Sequence, residues 1–241
     1  MFNDIIVNVK GGSPPLIKIL VKGAVSSSQM KYIQLPFIII LSILASCSDA
    51  DFDIVIRNGT IIDGSGYAAY TSDIGIINDK IVKIGDLSKQ TTKRTIDATN
   101  QVVSPGFIDS HTHAIRGIFD VPTAESSLLQ GVTTLTDGND GTSPHPIDAH
   151  FQKIENAKIS PNWAVFVGQG TIRKEVMGLE NRDPTTSELS EMELLVQEAM
   201  EDGALGISTG LFYIPGSFSL TSEVISLSKI AASYGGIYIS H

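Results

Sequence analysis

The chain has 241 residues, of which 42% are hydrophobic and 18% charged, a balance typical of a globular protein with a sizeable buried core. Its formal net charge is -9, and its Lys and Arg residues are scattered, which argues against a basic nucleic-acid-binding groove. Cys47 is the one cysteine, so an intrachain disulfide is excluded. We therefore predict no nucleic-acid partner and no disulfide framework.

A short apolar segment lies near the start of the chain. A methionine and a lysine precede an apolar run over residues 37–45, which leads into Leu44-Ala45-Ser46-Cys47. The run is too short to span a bilayer comfortably. The segment resembles a bacterial lipoprotein signal, which implies cleavage before Cys47, a lipid on its thiol and a tether over residues 47–52. A buried helix or a simple secretion signal is the alternative.

The lipoprotein resemblance places the protein in the bacterial cell envelope, lipid-anchored or secreted, in the periplasm or at the cell surface. Residues 1–29 show no sustained hydrophobic period, so we interpret them as a mis-assigned extension with Met30 as the true start. Residues 30–46 are then the signal peptide.

Residues 53–104 alternate apolar and polar side chains with a period of two. Turn pairs such as Asn58-Gly59, Asp63-Gly64 and Asn78-Asp79 interrupt the alternation. These pairs tolerate positive φ and join short strands. The pattern predicts a small antiparallel β-domain that is part of a β-sandwich.

From Pro105 onward, apolar strands alternate with helical segments. Strands are predicted at 105–110, 132–136, 164–168, 204–208 and 237–240, and helices at 123–130, 146–157, 186–202 and 222–234, with a long loop before the third helix. Thr185 and Glu188 have the spacing of a capping box. Repeated βα units with reactive residues after the strands indicate an α/β fold, and residues 105–241 are predicted to form about five strands of an incomplete (β/α)8 TIM-type barrel.

Two histidines end the first of these strands. His111 and His113 are two positions apart in Gly-Phe-Ile-Asp-Ser-His-Thr-His, so in an extended strand both side chains project from the same face. Neutral imidazoles are the commonest metal ligands. The pair therefore predicts half of a metal site, and two packed or solvated histidines are the alternative.

Further sequence blocks follow this strand in order. They are Gly131-Val132-Thr133-Thr134, Gly138-Asn139-Asp140-Gly141, Gly168-Gln169-Gly170-Thr171-Ile172-Arg173 with Val176-Met177-Gly178, residues 203–216, and residues 235–241. The combination resembles the amidohydrolase superfamily of metal-dependent hydrolases. The later blocks resemble its N-acyl-D-amino-acid deacylase (D-aminoacylase) family, and the resemblance spans residues 53–241.

The resemblance implies one or two divalent metal ions, usually zinc, held by His111, His113 and His241. The family typically has a metal-ligating cysteine where this chain has Asp140. A carboxylate also ligates zinc but is a harder ligand, so metal preference would shift. The alternatives are a turn in which Asp140 only caps the next segment, and a frayed terminal His241.

The resemblance also implies that Tyr213 lines the substrate pocket, and Arg173 is a candidate for binding a substrate carboxylate. Loop packing by Tyr213 and a surface ion pair of Arg173 are the alternatives. Gln169 replaces an expected histidine, which puts a role there in doubt. His145 and His150 flank a helix start and are predicted to be solvated.

The implied activity is cleavage of the amide bond of small N-acyl-D-amino acids by metal-activated water. A cyclic-amide hydrolase of the dihydroorotase or hydantoinase type is one alternative, and an inactive, truncated surface lipoprotein is the other. The family's strand-eight aspartate, its general acid/base, is expected beyond residue 241. These 241 residues alone are therefore expected to be inactive.

Overall fold

The computed structural model describes residues 50–241, which form two compact units, one ending at Pro105 and one comprising Gly106–His241. The predicted extension, signal peptide and Cys47 lie outside the described residues. Within those residues, the helices are too short or too polar to cross a membrane.

The first unit is a five-stranded sheet built around one long strand. Its strands are β1 (Phe52–Ile61), β2 (Tyr70–Ile77), β3 (Lys80–Gly85), β4 (Thr92–Asp97) and β5 (Val102–Val103). The order is β3-β2-β1-β4, and β5 also pairs with β1. Alternate apolar side chains of β1 and β2 form the core, with Ile56, Ile61, Ile74 and Ile76 all buried.

The domain predicted to be antiparallel contains parallel strand pairs as well. The β1–β2 and β2–β3 pairs are antiparallel, but β1 pairs in parallel with both β4 and β5. Turn pairs report only the connection between consecutive strands, and the parallel pairs join strands that are distant in sequence.

The second unit contains parallel strands that alternate with helices. The strands are β6 (Phe107–Asp109), β7 (Val132–Asp137), β8 (Asn162–Val165), β9 (Val167–Gly168), β10 (Gly206–Thr209) and β11 (Ile237–Ser240). The helices are α1 (Glu125–Leu128), α2 (Ile147–Ala157), α3 (Gln169–Met177), α4 (Thr186–Glu201) and α5 (Thr221–Ser233).

The parallel strands form two three-stranded sheets, β6-β7-β8 and β9-β10-β11. Phe166 alone separates β8 from β9, so the two sheets share one interrupted strand. Buried residues of these strands and of α3, α4 and α5 form the main core, including Val165, Ile172, Val196 and Ile207. The predicted α/β fold and the open, partial TIM-type arrangement are confirmed.

Two helices differ from prediction. The segment Gln169–Met177, predicted as part of a long loop, is α3, whereas α1 covers only part of the helix predicted at 123–130. The capping box at the start of α4 is confirmed, because the Thr185 side chain accepts from the Glu188 amide and Glu188 accepts from the Thr185 amide.

Candidate metal centre

Two histidines and one carboxylate come together after the parallel strands of the second unit. The Nε2 atom of His111 lies 3.0 Å from Oδ1 of Asp140, and the Nε2 atom of His113 lies 3.3 Å from Oδ2. One possible ligand atom from each of the three residues lies within 4.8 Å of the others. Both imidazoles are about half exposed, while the Asp140 side chain is mostly buried.

These separations suit three ligands of one ion. Zinc bonds of about 2.0–2.2 Å in a tetrahedral arrangement separate neighbouring ligand atoms by roughly 3.3 Å. Oδ1 of Asp140 is buried and has no hydrogen-bond partner among the described residues, although His111 Nε2 is so close. A buried carboxylate oxygen without a hydrogen bond is unfavourable unless a cation meets it. The three residues present therefore fit a divalent metal ion.

The histidine segment is anchored to the neighbouring strand β7. The backbone amide and the hydroxyl of Thr112 both donate to the carbonyl of Thr136, each at 2.9 Å. The side-chain amide of Asn139 donates to the carbonyl of Ser110 at 2.7 Å. Thr112, between the two histidines, therefore faces β7, which leaves His111 and His113 on the other side of the backbone.

Ser208 on β10 fixes the loop that carries Asp140. Its hydroxyl donates to the carbonyl of Gly138, and it accepts a 3.0 Å hydrogen bond from the amide of Gly141. Gly141 has a φ of 73°, and a Cβ there would lie 2.5 Å from the backbone nitrogen of Gly210. A side chain at this position would therefore push the Asp140 loop away from the strand that supports it.

The buried carboxylate of Asp137 is a second support that sequence reasoning missed. It accepts from the amide of Gly138 at 2.7 Å and from the amide of Ile115 at 2.8 Å, so it links the Asp140 loop to the turn after His113. Partners of this kind orient metal ligands. Only its place directly before Gly-Asn-Asp-Gly could have suggested this role.

His241 lies outside the three-residue group. Its Nε2 atom is 3.3 Å from the hydroxyl of Tyr213, and the two rings are edge to face with centroids 5.2 Å apart. Its backbone amide donates to the carbonyl of Thr209, which continues the β10–β11 pairing. The structure thus places His241 beside Tyr213 rather than within the His111, His113 and Asp140 group.

A cavity of about 120 Å³ adjoins the group. Asp140, Thr171, Lys174, Tyr213 and Pro215 are among the residues that line it. Tyr213 therefore faces the same cavity as a candidate metal ligand, at the carboxyl ends of the strands where barrel active sites lie.

Arg173 is not placed to bind a ligand. Its side chain is completely buried, its guanidinium forms an ion pair with the buried Glu223, and it also donates to the carbonyl of Arg182. Gln169 is buried in the same network and donates to Glu223 at 2.7 Å and to Ser219 at 2.6 Å. Both the carboxylate-binding prediction and its alternative, a surface ion pair, are therefore wrong for Arg173.

The two histidines predicted to be solvated are not. The His145 side chain is 7% exposed, with Nδ1 at 2.8 Å from a Glu175 carboxylate oxygen. His150 is buried and contacts the rings of Phe119 and Trp163. Burial lowers the pKa of the His150 imidazole below its ordinary value, although the nearby Asp137 charge opposes this shift.

The parallel βα units bring two histidines and a carboxylate together beyond the strand ends. This arrangement is that of a partial TIM-type barrel with a candidate metal site. Residues 94–213 match the model of the amidohydrolase family. The chain therefore contains an amidohydrolase family domain.

Known proteins agree with this assignment. The chain is 36% identical to a D-aminoacylase from Alcaligenes xylosoxydans xylosoxydans over 79% of its own length and 44% of the relative. A crystal structure of N-acyl-D-glutamate deacylase from Bordetella bronchiseptica, complexed with zinc and a phosphonate inhibitor, has a TM-score of 0.75 at 31% identity. That match covers 79% of this chain and 45% of the other. The chain thus spans less than half the length of these relatives.

A more distant likeness shows the fold alone. L-hydantoinase from Arthrobacter aurescens superposes with a TM-score of 0.55 at 22% identity, over 79% of this chain and 40% of that one.

Proposed function

We propose that this domain belongs to a metal-dependent hydrolase that cleaves the amide bond of N-acyl-D-amino acids. One observation carries the proposal: the Asp140 carboxylate faces His111 and His113 with oxygen-to-nitrogen distances of 3.0 and 3.3 Å, and its buried Oδ1 has no hydrogen bond among the described residues. Metal-ligand chemistry accounts for this arrangement better than a solvated cluster does.

A divalent ion held here, zinc in our proposal, would supply Lewis-acid chemistry that activates water and polarises the substrate carbonyl. His111, His113 and Asp140 would hold this ion. The complete site would bind one or two ions, and His241 is a further candidate ligand. Asp140 presents two oxygens, one toward each histidine. A carboxylate is a harder ligand than the thiolate typical of the family, so this site should accept oxygen-preferring divalent ions more readily.

The chain's own residues supply orientation. Thr112, Asn139 and Ser208 fix the backbone on both sides of the group, so the ligands are positioned before substrate arrives. Tyr213 lines the cavity beside Asp140, where its hydroxyl can donate to a substrate carboxylate or acyl oxygen.

The substrate class rests on the relatives. The two relatives described above, at 36% and 31% identity, are a D-aminoacylase and an N-acyl-D-glutamate deacylase. The alternative, a cyclic amide, is supported only by a likeness to L-hydantoinase at fold level. We therefore favour the linear amide and the D configuration.

Ligand binding to the zinc-loaded chain tests the proposal. Binding is the readout because Asp140 is the single carboxylate in the metal-binding group of the described residues, which leaves no second one as general base. By isothermal titration calorimetry, N-acetyl-D-methionine and N-acetyl-D-glutamate should bind more tightly than their L enantiomers and than 5-substituted hydantoins. Binding should disappear when the zinc is removed. Equal binding of both enantiomers, or preference for the hydantoin, would contradict the substrate class.

We also propose that a signal peptide over residues 30–46 is removed and that Cys47 carries a lipid, which anchors the protein in the cell envelope. The short apolar run before Leu44-Ala45-Ser46-Cys47 supports this. Cells grown with radiolabelled palmitate should yield labelled protein in the membrane fraction, and Cys47→Ala should abolish the label. A labelled Cys47→Ala variant would refute lipidation at this residue.

A further inference from the structure

The cavity beside Asp140 contains one basic side chain among the described residues that line it, that of Lys174. Lys174 lies on α3, one position after the buried Arg173. Because Ile172, Arg173 and Met177 of the same helix are buried, the backbone that carries Lys174 is held firmly by the core. Lys174 itself is exposed, and it lines the cavity.

The Lys174 ammonium makes no ion pair or hydrogen bond to another described residue. Charged residues close to Lys174 in sequence are already paired: Arg173 with Glu223, and Arg182 with Glu180 and Glu188. Lys174 is thus the one basic side chain among the described residues that line this cavity, and it has no anionic partner in the described part of the chain. It adjoins the Tyr213 loop, whose residues Pro215 and Gly216 line the same cavity.

We propose that Lys174 binds a carboxylate of the substrate and so determines which N-acyl amino acids enter the cavity, an inference that rests on the proposed function. With the scissile amide at His111, His113 and Asp140, the rest of the substrate extends into the cavity that Asp140 shares with Lys174 and Tyr213. An ammonium offers three donors to a carboxylate, and the resulting charge-assisted hydrogen bonds are strong. Lys174 thereby takes the role that sequence reasoning assigned to Arg173.

Two carboxylates can be the ligand: the α-carboxylate present in every N-acyl amino acid, or a side-chain carboxylate such as that of an acylated glutamate. The shared chemistry is one anionic carboxylate several bonds from the amide. Ligands that carry one or both groups distinguish the two sources.

The test is calorimetric titration of the zinc-loaded protein with N-acetyl-D-methionine, N-acetyl-D-methioninamide and N-acetyl-D-glutamate. Lys174→Gln removes the charge, Lys174→Arg keeps it, and Lys229→Gln is the matched control on the exposed surface of α5. We expect Lys174→Gln to weaken binding of the carboxylate ligands by about tenfold, the scale of a charge-assisted hydrogen bond. Lys174→Arg should restore most of the loss, and zinc stoichiometry should not change.

Each result decides one point. An equal loss for the two acids with none for the amide supports contact with the α-carboxylate, and a loss confined to N-acetyl-D-glutamate supports contact with the side chain. If wild type binds the acids and Lys174→Gln binds them as Lys229→Gln does, the inference is overturned while the proposed function stands. If zinc-loaded wild type binds none of the three ligands, the proposed function fails and the inference fails with it.

Discussion

Replacing Asp140 with alanine removes one of the three candidate ligands without removing a structural hydrogen bond. Oδ1 of Asp140 has no hydrogen-bond partner among the described residues, and both oxygens lie close to imidazole nitrogens. The loss of residues that merely orient a ligand typically weakens metal binding 10- to 100-fold. Loss of a ligand itself should cost at least about 100-fold, or roughly 2.8 kcal/mol at about 1.4 kcal/mol per factor of ten.

Competition with a fluorescent zinc chelator measures this change directly, and thermal unfolding with and without zinc gives an independent value. Zinc stabilises the folded chain by RT ln(1 + [Zn]/Kd), so the zinc-dependent rise in Tm should be smaller in Asp140→Ala than in wild type. The metal-free variant should be as stable as metal-free wild type. Asp120→Asn, an exposed acidic residue of the same unit, is the control and should bind zinc normally.

The Asp140→Cys variant tests how the ligand atom at this position affects metal preference. Asp140→Cys should retain zinc binding and lose affinity for Mn²⁺ relative to wild type, because a soft sulfur replaces a hard oxygen. Wild-type zinc affinity and stoichiometry in Asp140→Ala would refute the assignment of Asp140 as a ligand.

Three more predictions follow from the supporting residues. Glu223→Ala should lower the free energy of unfolding by about 3–5 kcal/mol in urea denaturation, because it leaves the buried Arg173 charge without a partner, and a loss below about 1 kcal/mol would contradict this. Ser208→Ala should weaken zinc binding about tenfold by freeing the Asp140 loop. An unchanged zinc affinity would show that Ser208 does not position Asp140. The free energy of unfolding should fall as the pH drops through about 6.5, the ordinary histidine pKa. The His150 imidazole then takes up a proton in the unfolded chain, whereas in the folded chain it stays neutral because burial lowers its pKa. Urea denaturation at pH 5.5 and 7.5 should show a smaller decrease in His150→Leu than in wild type, and equal decreases would exclude His150 as a cause.

Local signals predicted much of the fold. Helix α4 was predicted at 186–202 and spans Thr186–Glu201, since the Thr185 cap and the apolar period of the helix lie within its own sequence. Helix α3 was missed because Gly170 and Thr171 in its first turn have low helix propensity, and the helix is instead stabilised by burial of Ile172 and Met177. The parallel β1–β4 pair was missed because no local pattern reports register between distant strands.

Some residues of the candidate site were predicted from local sequence, and others were missed because their partners are distant in sequence. His111 and His113 follow strand β6 and were predicted from their spacing of two positions, and the Asp140 position was found from its sequence block. Ser208 was missed because its partner Gly138 is 70 positions away. Arg173 was assigned wrongly because its partner Glu223 lies 50 positions away in sequence and is buried with it.

His111, His113 and Asp140 together should bind one metal ion. X-ray absorption spectroscopy of the zinc-loaded protein tests this most directly. We expect a zinc shell of nitrogen and oxygen only, at about 2.0–2.2 Å, with the multiple scattering of two or more imidazoles. In His111→Ala/His113→Ala this imidazole signal should be lost. A sulfur ligand near about 2.3 Å, or a zinc shell without imidazole in the wild-type protein, would contradict it.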